Sequence, residues 1–262
     1  MPTSDPMIDG ASAPVEAAAY LPPPPTRLRR PALFLDMDGV LAPLAETPDA
    51  VVPHPERTAA LKAVAGRLGG RVAIISGRTI AEIDRIAEAS TASASGVHGL
   101  ERRRADGSLH RAEAAPAVRE AVAAFEAFAR DRPGIIVEDK TVSAGLHYRG
   151  AQTFAAEALA LAGRLADETG LALQAGNLVV ELKTPGSSKG TALQAFMREP
   201  PFVGAVPVML GDDLTDEDGF RAAQALGGFG VLVGPTRETA ARYRLPDVGA
   251  VLTWLNAVEE SE

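Results

Sequence analysis

Apolar and polar positions change period at regular intervals along this chain. Ala32 to Leu35 is a short, continuous apolar run, which predicts a strand buried on both faces. Glu56 to Leu68 places Ala59, Leu61, Val64, Ala65 and Leu68 on one helical face; Val72 to Ile75 then reads as a second strand and Thr79 to Glu88 as a second helix. The same alternation returns late in the chain. It predicts a helix over Ser188 to Arg198, a strand over Val206 to Leu210, a helix over Thr215 to Ala225, a strand over Phe229 to Val233 and a closing helix over Ala250 to Glu259. Strands that alternate with helices in this way build a parallel sheet with crossover helices.

The middle of the chain has a different texture. Glu101 to Arg104 and Ser108 to Arg111 flank Asp106-Gly107, a pair suited to the positive φ angles of a tight hairpin. A helix over Ala117 to Arg130 follows, then strands over Ile135 to Asp139 and Ser143 to Tyr148, a helix over Phe154 to Thr169, and strands over Leu171 to Gln174 and Leu178 to Leu182. The expected architecture is an α/β core, residues 31–104 and 185–262, interrupted by an α+β insertion of an antiparallel sheet and two helices, residues 105–184. Residues 1–30, with Pro22 to Pro25 and no apolar period, read as an extended or disordered leader.

Composition narrows the chemistry. The 262 residues carry 26 basic against 34 acidic side chains, a net charge of −8, which is the wrong sign for a protein whose main task is to hold nucleic acid or an anionic membrane. No stretch has the make-up of a secretory signal or a membrane span, so a cytoplasmic location is expected. The absence of cysteine removes thiolate metal sites and thiol nucleophiles. Among the basic residues only Lys62, Lys140, Lys183 and Lys189 are lysine.

Four strand ends or helix starts carry the candidate chemistry. Phe34 to Leu41 is an apolar strand that stops abruptly at Asp36 and Asp38, and ligands of open parallel sheets bind beyond the carboxyl ends of their strands. Gly211 to Asp218 follows another apolar strand. Thr215, Asp216 and Glu217 suit a helix cap and first turn, whereas Asp212 and Asp213 suit a cap poorly and would repel the first acid pair unless a cation lay between them. Mg²⁺, a hard ion taking oxygen ligands, is the economical choice. Ser76-Gly77-Arg78 opens a helix whose backbone N–H groups could receive an anion, and Pro185 to Gly190 delivers Lys189 to the next helix start.

With these residues in place, the sequence resembles the haloacid-dehalogenase-like (HAD) phosphotransferase superfamily over residues 31 to 255. The resemblance implies a Rossmann-like core with a cap inserted after the third strand. It also implies Asp36 as nucleophile, Asp38 as general acid and base, Ser76 with Gly77 and Lys189 as phosphate ligands, and Asp36, Asp38 and Asp212 around Mg²⁺, supported by Asp213 and Asp216. Gly96 to Arg102, Val137 to Lys140 with Leu146 to Arg149, and Val179 to Lys183 are similar in order and spacing to the trehalose-6-phosphate phosphatases. That likeness implies a disaccharide phosphate substrate contacted by Arg78, Glu138, Lys140, His147 and Glu181, with His98 and Glu101 supporting, in a protein expected to act as a monomer.

The departures from the family pattern are Met37, Val40 and Lys183, the last a lysine where the family usually has the planar fork of an arginine. Alone, Glu138 and Lys140 would read as a solvated strand face, His147 as a core histidine and Arg102 to Arg104 as a solvated run. Other readings stay open: a phosphatase for sucrose phosphate, mannosyl-3-phosphoglycerate or a validoxylamine-type phosphate, a phosphomutase, or a non-catalytic regulatory partner of a sugar-phosphate synthase.

Overall fold

The computed structural model describes residues 21–45, 47–176 and 178–261. The first part of the chain forms β1 (Arg27–Arg29), β2 (Pro31–Leu35), α1 (Pro55–Arg67), β3 (Val72–Ile75), α2 (Ile80–Ala87), β4 (Ser93–Gly96), β5 (Glu101–Arg103) and β6 (Leu109–Arg111). The insertion follows as α3 (Ala117–Ala129), β7 (Ile136–Asp139), β8 (Ser143–His147), α4 (Ala155–Thr169), β9 (Ala172–Gly176) and β10 (Val179–Lys183). The chain then returns through α5 (Lys189–Phe196), β11 (Val206–Gly211), α6 (Glu217–Ala225), β12 (Phe229–Val233), β13 (Tyr243–Leu245), α7 (Val248–Ala257) and β14 (Glu259–Ser261).

An eight-stranded sheet in the order β13-β12-β11-β2-β3-β4-β5-β6 forms the core. Its strands from β13 to β4 are parallel, and β5 and β6 close one edge antiparallel. One face packs on α1, α2 and α7 through residues such as Leu35, Leu61, Ile83 and Leu255. The other packs on α5 and α6 through Phe34, Phe196, Phe202 and Phe220. Both faces are covered, which is why the core strands read as unbroken apolar runs. Because β2 lies between β3 and β11, the chain order reverses on its two sides, and a ligand crevice opens beyond such a strand.

The insertion is a second, four-stranded antiparallel sheet, β7-β8-β10-β9, with α3 and α4 on one face. Phe125, Leu146, Ala158 and Val180 are among the residues that fill its core. The other face turns Glu138, Lys140, His147 and Glu181 toward the carboxyl ends of the core strands. Glu138 on β7 and Lys140 just beyond it therefore line a cleft and are not a solvated face.

Three sequence expectations are corrected. Residues 1–20 lie outside the described residues, but 21–30 are ordered and form no free leader. β1 pairs in parallel with β14, Pro22 O accepts from Arg244 N–H, and Pro25 O accepts from Trp254 Nε1–H at 3.1 Å. Proline lacks a donor but keeps its acceptor, so a proline-rich segment can still be tied down through its carbonyls. The Glu101–Arg111 hairpin extends the core sheet, so the antiparallel insertion begins after β6 and not at residue 105. Arg102 is not solvated: it is buried, pairs with Glu199 and lies 5.4 Å from the Phe196 ring centroid.

Candidate active site

Strand register brings the acids together. Leu35 of β2 lies beside Leu210 of β11, and the next residue, Asp36, donates its N–H to Leu210 O at 3.1 Å, so Asp36 and Asp212 leave the sheet side by side. Ser188 caps α5 by accepting from Thr191 N–H, and this fixes where Lys189 enters. The Lys189 ammonium is buried and sits 2.8 Å from Asp36 Oδ2 and 2.7 Å from Asp216 Oδ1. Asp216, fully buried, also accepts from the N–H groups of Asp212 and Asp213, each at 3.0 Å. It folds the second acidic loop back onto the first.

Asp36, Asp212 and Asp216 each offer an oxygen within 4.8 Å of the others. Burial pushes the Asp36 carboxyl up to about 7 despite the nearby lysine, with Asp216 and Asp38 adding to the rise. Burial, Asp36 and Asp216 push Asp212 up to about 8. Ionising all three acids around one buried ammonium would leave uncompensated negative charge, and the all-oxygen donor set fits a hard divalent cation such as Mg²⁺. Gly39 lets the Asp212 side chain approach: its φ is +74°, and a side chain there would collide with the Asp212 carboxylate.

The Asp38 carboxylate lies outside this cluster. Arg78 Nε donates to Asp38 Oδ2 at 2.7 Å and Arg78 Nη2 to Asp38 Oδ1 at 2.8 Å, so the guanidinium occupies both oxygens. Arg78 also pairs with Glu82, the residue that completes the capping box at Thr79. Asp213 caps the short turn after β11 through Leu214 N–H. Glu101 is buried and accepts from Ile80 N–H at 2.9 Å, at the start of the helix that follows the Ser76-Gly77 loop.

Ser76 is buried at the end of β3, and its carbonyl accepts from His98 N–H at 3.0 Å. His98 lies in a left-handed turn, φ +51°, with its ring against Gly77: a Cβ at Gly77 would come within 2.6 Å of His98 Nε2. On the cap side, Lys140 Nζ reaches across to Gly77 O at 3.0 Å and lies 3.4 Å from Glu138 and 3.5 Å from Glu181. Burial opposes the Lys140 charge, but Glu181 and Glu138 outweigh it and raise its pKa. Burial likewise opposes ionisation of Glu181, yet Lys140 and the Ser143 hydroxyl hold it far below the usual carboxylate range. His147 Nε2 donates to Glu138 Oε2 at 2.9 Å. All five residues expected to contact the substrate, Arg78, Glu138, Lys140, His147 and Glu181, line one cleft with Asp36, Asp38, Ser76, Lys189 and Asp212.

The trehalose-phosphatase family model matches residues 34–249. The chain belongs to that family. It is 40% identical over 229 residues to the trehalose-6-phosphate phosphatase of Escherichia coli (strain K12), covering 87% of this chain and 86% of that one. It is 37% identical over 206 residues to a probable trehalose-phosphate phosphatase of Sinorhizobium fredii, covering 78% of each. The C-terminal domain of Candida albicans trehalose-6-phosphate phosphatase shares the fold with a TM-score of 0.78 at 21% identity, covering 91% of this chain and 98% of that one. The protein is a phosphoric monoester hydrolase with the HAD fold.

Two departures from the trehalose-phosphatase pattern, Met37 and Val40, are fully buried in the core cluster, where apolar side chains pack without cost. The third, Lys183, is buried and donates to Gln174 Oε1 at 2.6 Å. Gln174, Arg149 and Glu82 line the cleft and were not among the residues expected there. Gln174 sits on an edge strand, and nothing in its sequence neighbourhood marks it; Glu82 carries a capping-box signal that explains it locally.

Proposed function

We propose that this protein hydrolyses trehalose 6-phosphate to trehalose and phosphate, with Mg²⁺, through an aspartyl-phosphate on Asp36. The observation that carries this reading is the single cleft that joins the Asp36–Lys189 pair of the core to the Glu138, Lys140, His147 and Glu181 group of the cap. An anion-binding centre facing a ring of hydroxyl-binding acids and a lysine suits a phosphorylated sugar. The identity to the named bacterial phosphatases supports the disaccharide.

Asp36 is held for attack, with one oxygen fixed by Met37 N–H at 2.7 Å and the other by Lys189 at 2.8 Å. It attacks phosphorus in line, forming the Asp36–phosphorus bond as the bond to the sugar oxygen breaks. Asp38 gives its proton to that oxygen, then takes one from the water that cleaves the aspartyl-phosphate, and so returns to its starting state. Lys189 and the Ser76-Gly77 loop receive the phosphoryl oxygens. Asp36, Asp212 and Asp216 would hold Mg²⁺, which when bound neutralises phosphoryl charge. The cap acids and Lys140 orient the sugar.

Phosphate release from trehalose 6-phosphate, measured with and without Mg²⁺, tests the reading. Asp36→Asn should lose at least about 10³-fold in kcat, the scale of a removed nucleophile, while thermal unfolding shows the fold intact. An Asp36→Asn variant with wild-type turnover would remove Asp36 as nucleophile.

A further inference from the structure

Behind the sugar-facing acids runs a chain of polar side chains to which the reaction steps assign no task. Lys183 Nζ donates to Gln174 Oε1 at 2.6 Å, Gln174 Nε2 stands 2.7 Å from His98 Nε2, and that same ring nitrogen lies 3.2 Å from Glu181 Oε2. An ammonium has donors only, so Gln174 must turn its oxygen to Lys183 and its N–H to His98. His98 Nε2 then has one role to fill. It can carry a proton and donate to Glu181, or carry a lone pair and accept from Gln174, but not both. A proton on Nε2 would set two N–H groups against each other, and the imidazole cannot swing aside because it lies against Gly77 while its backbone N–H is bound to Ser76 O. His98 Nδ1 is buried with no hydrogen-bond partner among the described residues, so the Nδ1–H tautomer leaves that proton unpaired, a cost set against the clash that Nε2–H would make with Gln174. Burial, outweighing Glu181, keeps the ring neutral.

The consequence falls on Glu181. Its Oε1 already accepts from Ser143 Oγ and lies 3.5 Å from Lys140, so Oε2 is the oxygen left for a ligand, and His98 is the group that could occupy it. We propose that Lys183 and Gln174 are positioning residues that hold His98 in the Nδ1–H tautomer and thereby keep Glu181 Oε2 open to a sugar hydroxyl. This inference rests on the reading of Glu181 as a sugar ligand given above.

The test has a spectroscopic arm and a kinetic arm. The chain holds only 4 histidines, so ¹⁵N-imidazole spectra of the full protein, with His98 assigned from His98→Asn, report its tautomer directly. The wild type should show an unprotonated Nε2, and Lys183→Met, which frees Gln174 to turn its oxygen to the ring, should show Nε2–H. A wild-type Nε2–H, or a tautomer unchanged in Lys183→Met, overturns the proposal. Kinetically, Lys183→Met and the isosteric, acceptor-only Gln174→Glu should each raise KM for trehalose 6-phosphate about tenfold, the scale of one charge-assisted hydrogen bond. Hydrolysis of p-nitrophenyl phosphate, which has no sugar, should be unchanged. Equal losses on both substrates indicate a merely structural role and overturn the proposal, as does an unchanged KM in Lys183→Met, which would leave Gln174 acting alone. If the wild type spares trehalose 6-phosphate but shows the expected tautomers, the substrate reading fails and the relay stands.

Discussion

Arg78 grips Asp38 with two parallel hydrogen bonds, Nε to Oδ2 at 2.7 Å and Nη2 to Oδ1 at 2.8 Å. A fork of this kind stabilises a carboxylate and fixes its plane. Asp38 must deliver a proton to the departing sugar oxygen, so the grip has to loosen when substrate enters, and the incoming phosphate dianion is a competing acceptor for the same guanidinium. Arg78→Lys keeps a positive charge but loses the planar fork, and should lower kcat/KM for trehalose 6-phosphate by roughly 10–100-fold. Steady-state kinetics of the variant check this; an unchanged kcat/KM would mean that Arg78 neither orients Asp38 nor meets the phosphate.

Stability of the metal-free protein should fall as pH rises through the neutral range. Asp36 and Asp212 are pushed up to about 7 and about 8 from the ordinary carboxylate value of 3.8, mainly by burial. Between about 4 and 8 the native state therefore binds more protons at these positions than the unfolded chain does, and the stability they contribute is lost progressively toward pH 8. Thermal midpoints of chelator-treated protein should drop from pH 6 to pH 8.5. Added Mg²⁺ should raise the midpoint more at pH 8.5 than at pH 6, because the cation binds the ionised acids. An equal Mg²⁺ effect at both values would contradict metal binding at these acids.

Gly39→Ala should weaken Mg²⁺ activation. The new methyl group would occupy the space of the Asp212 carboxylate, at a φ of +74° that alanine adopts only under strain. The Mg²⁺ concentration for half-maximal activity should rise about tenfold or more, the usual scale for a disturbed metal ligand. A metal titration of the variant decides it, with circular dichroism to confirm folding.

The acid pairs were legible because each follows an apolar strand that ends abruptly, and local solvation alone does not explain Asp38 after Asp36 or Asp212 before Asp213. Asp216 was legible from its own neighbourhood as a helix-start acid, and through the resemblance as a support of the metal site. Its larger part, pairing with Lys189 across the fold, depends on contacts far apart in sequence. The strap at residues 21–30 was hidden because composition sees the missing N–H groups of Pro22 to Pro25 and not the acceptors they keep. The hairpin was recognised as a hairpin, but which sheet it joins is set by β4 pairing with β5, which no local pattern records. Gln174 was opaque for a related reason: a side chain that orients another leaves no period and no motif, and Lys183 was legible only as a lysine in the place of the family's arginine.

The central claim is tested most directly by comparing kcat/KM for trehalose 6-phosphate and glucose 6-phosphate in Mg²⁺ buffer. If Glu138, Lys140, His147 and Glu181 read a disaccharide, trehalose 6-phosphate should be preferred by about 100-fold or more, the discrimination that a few sugar hydrogen bonds supply. Comparable values for the two esters would contradict it.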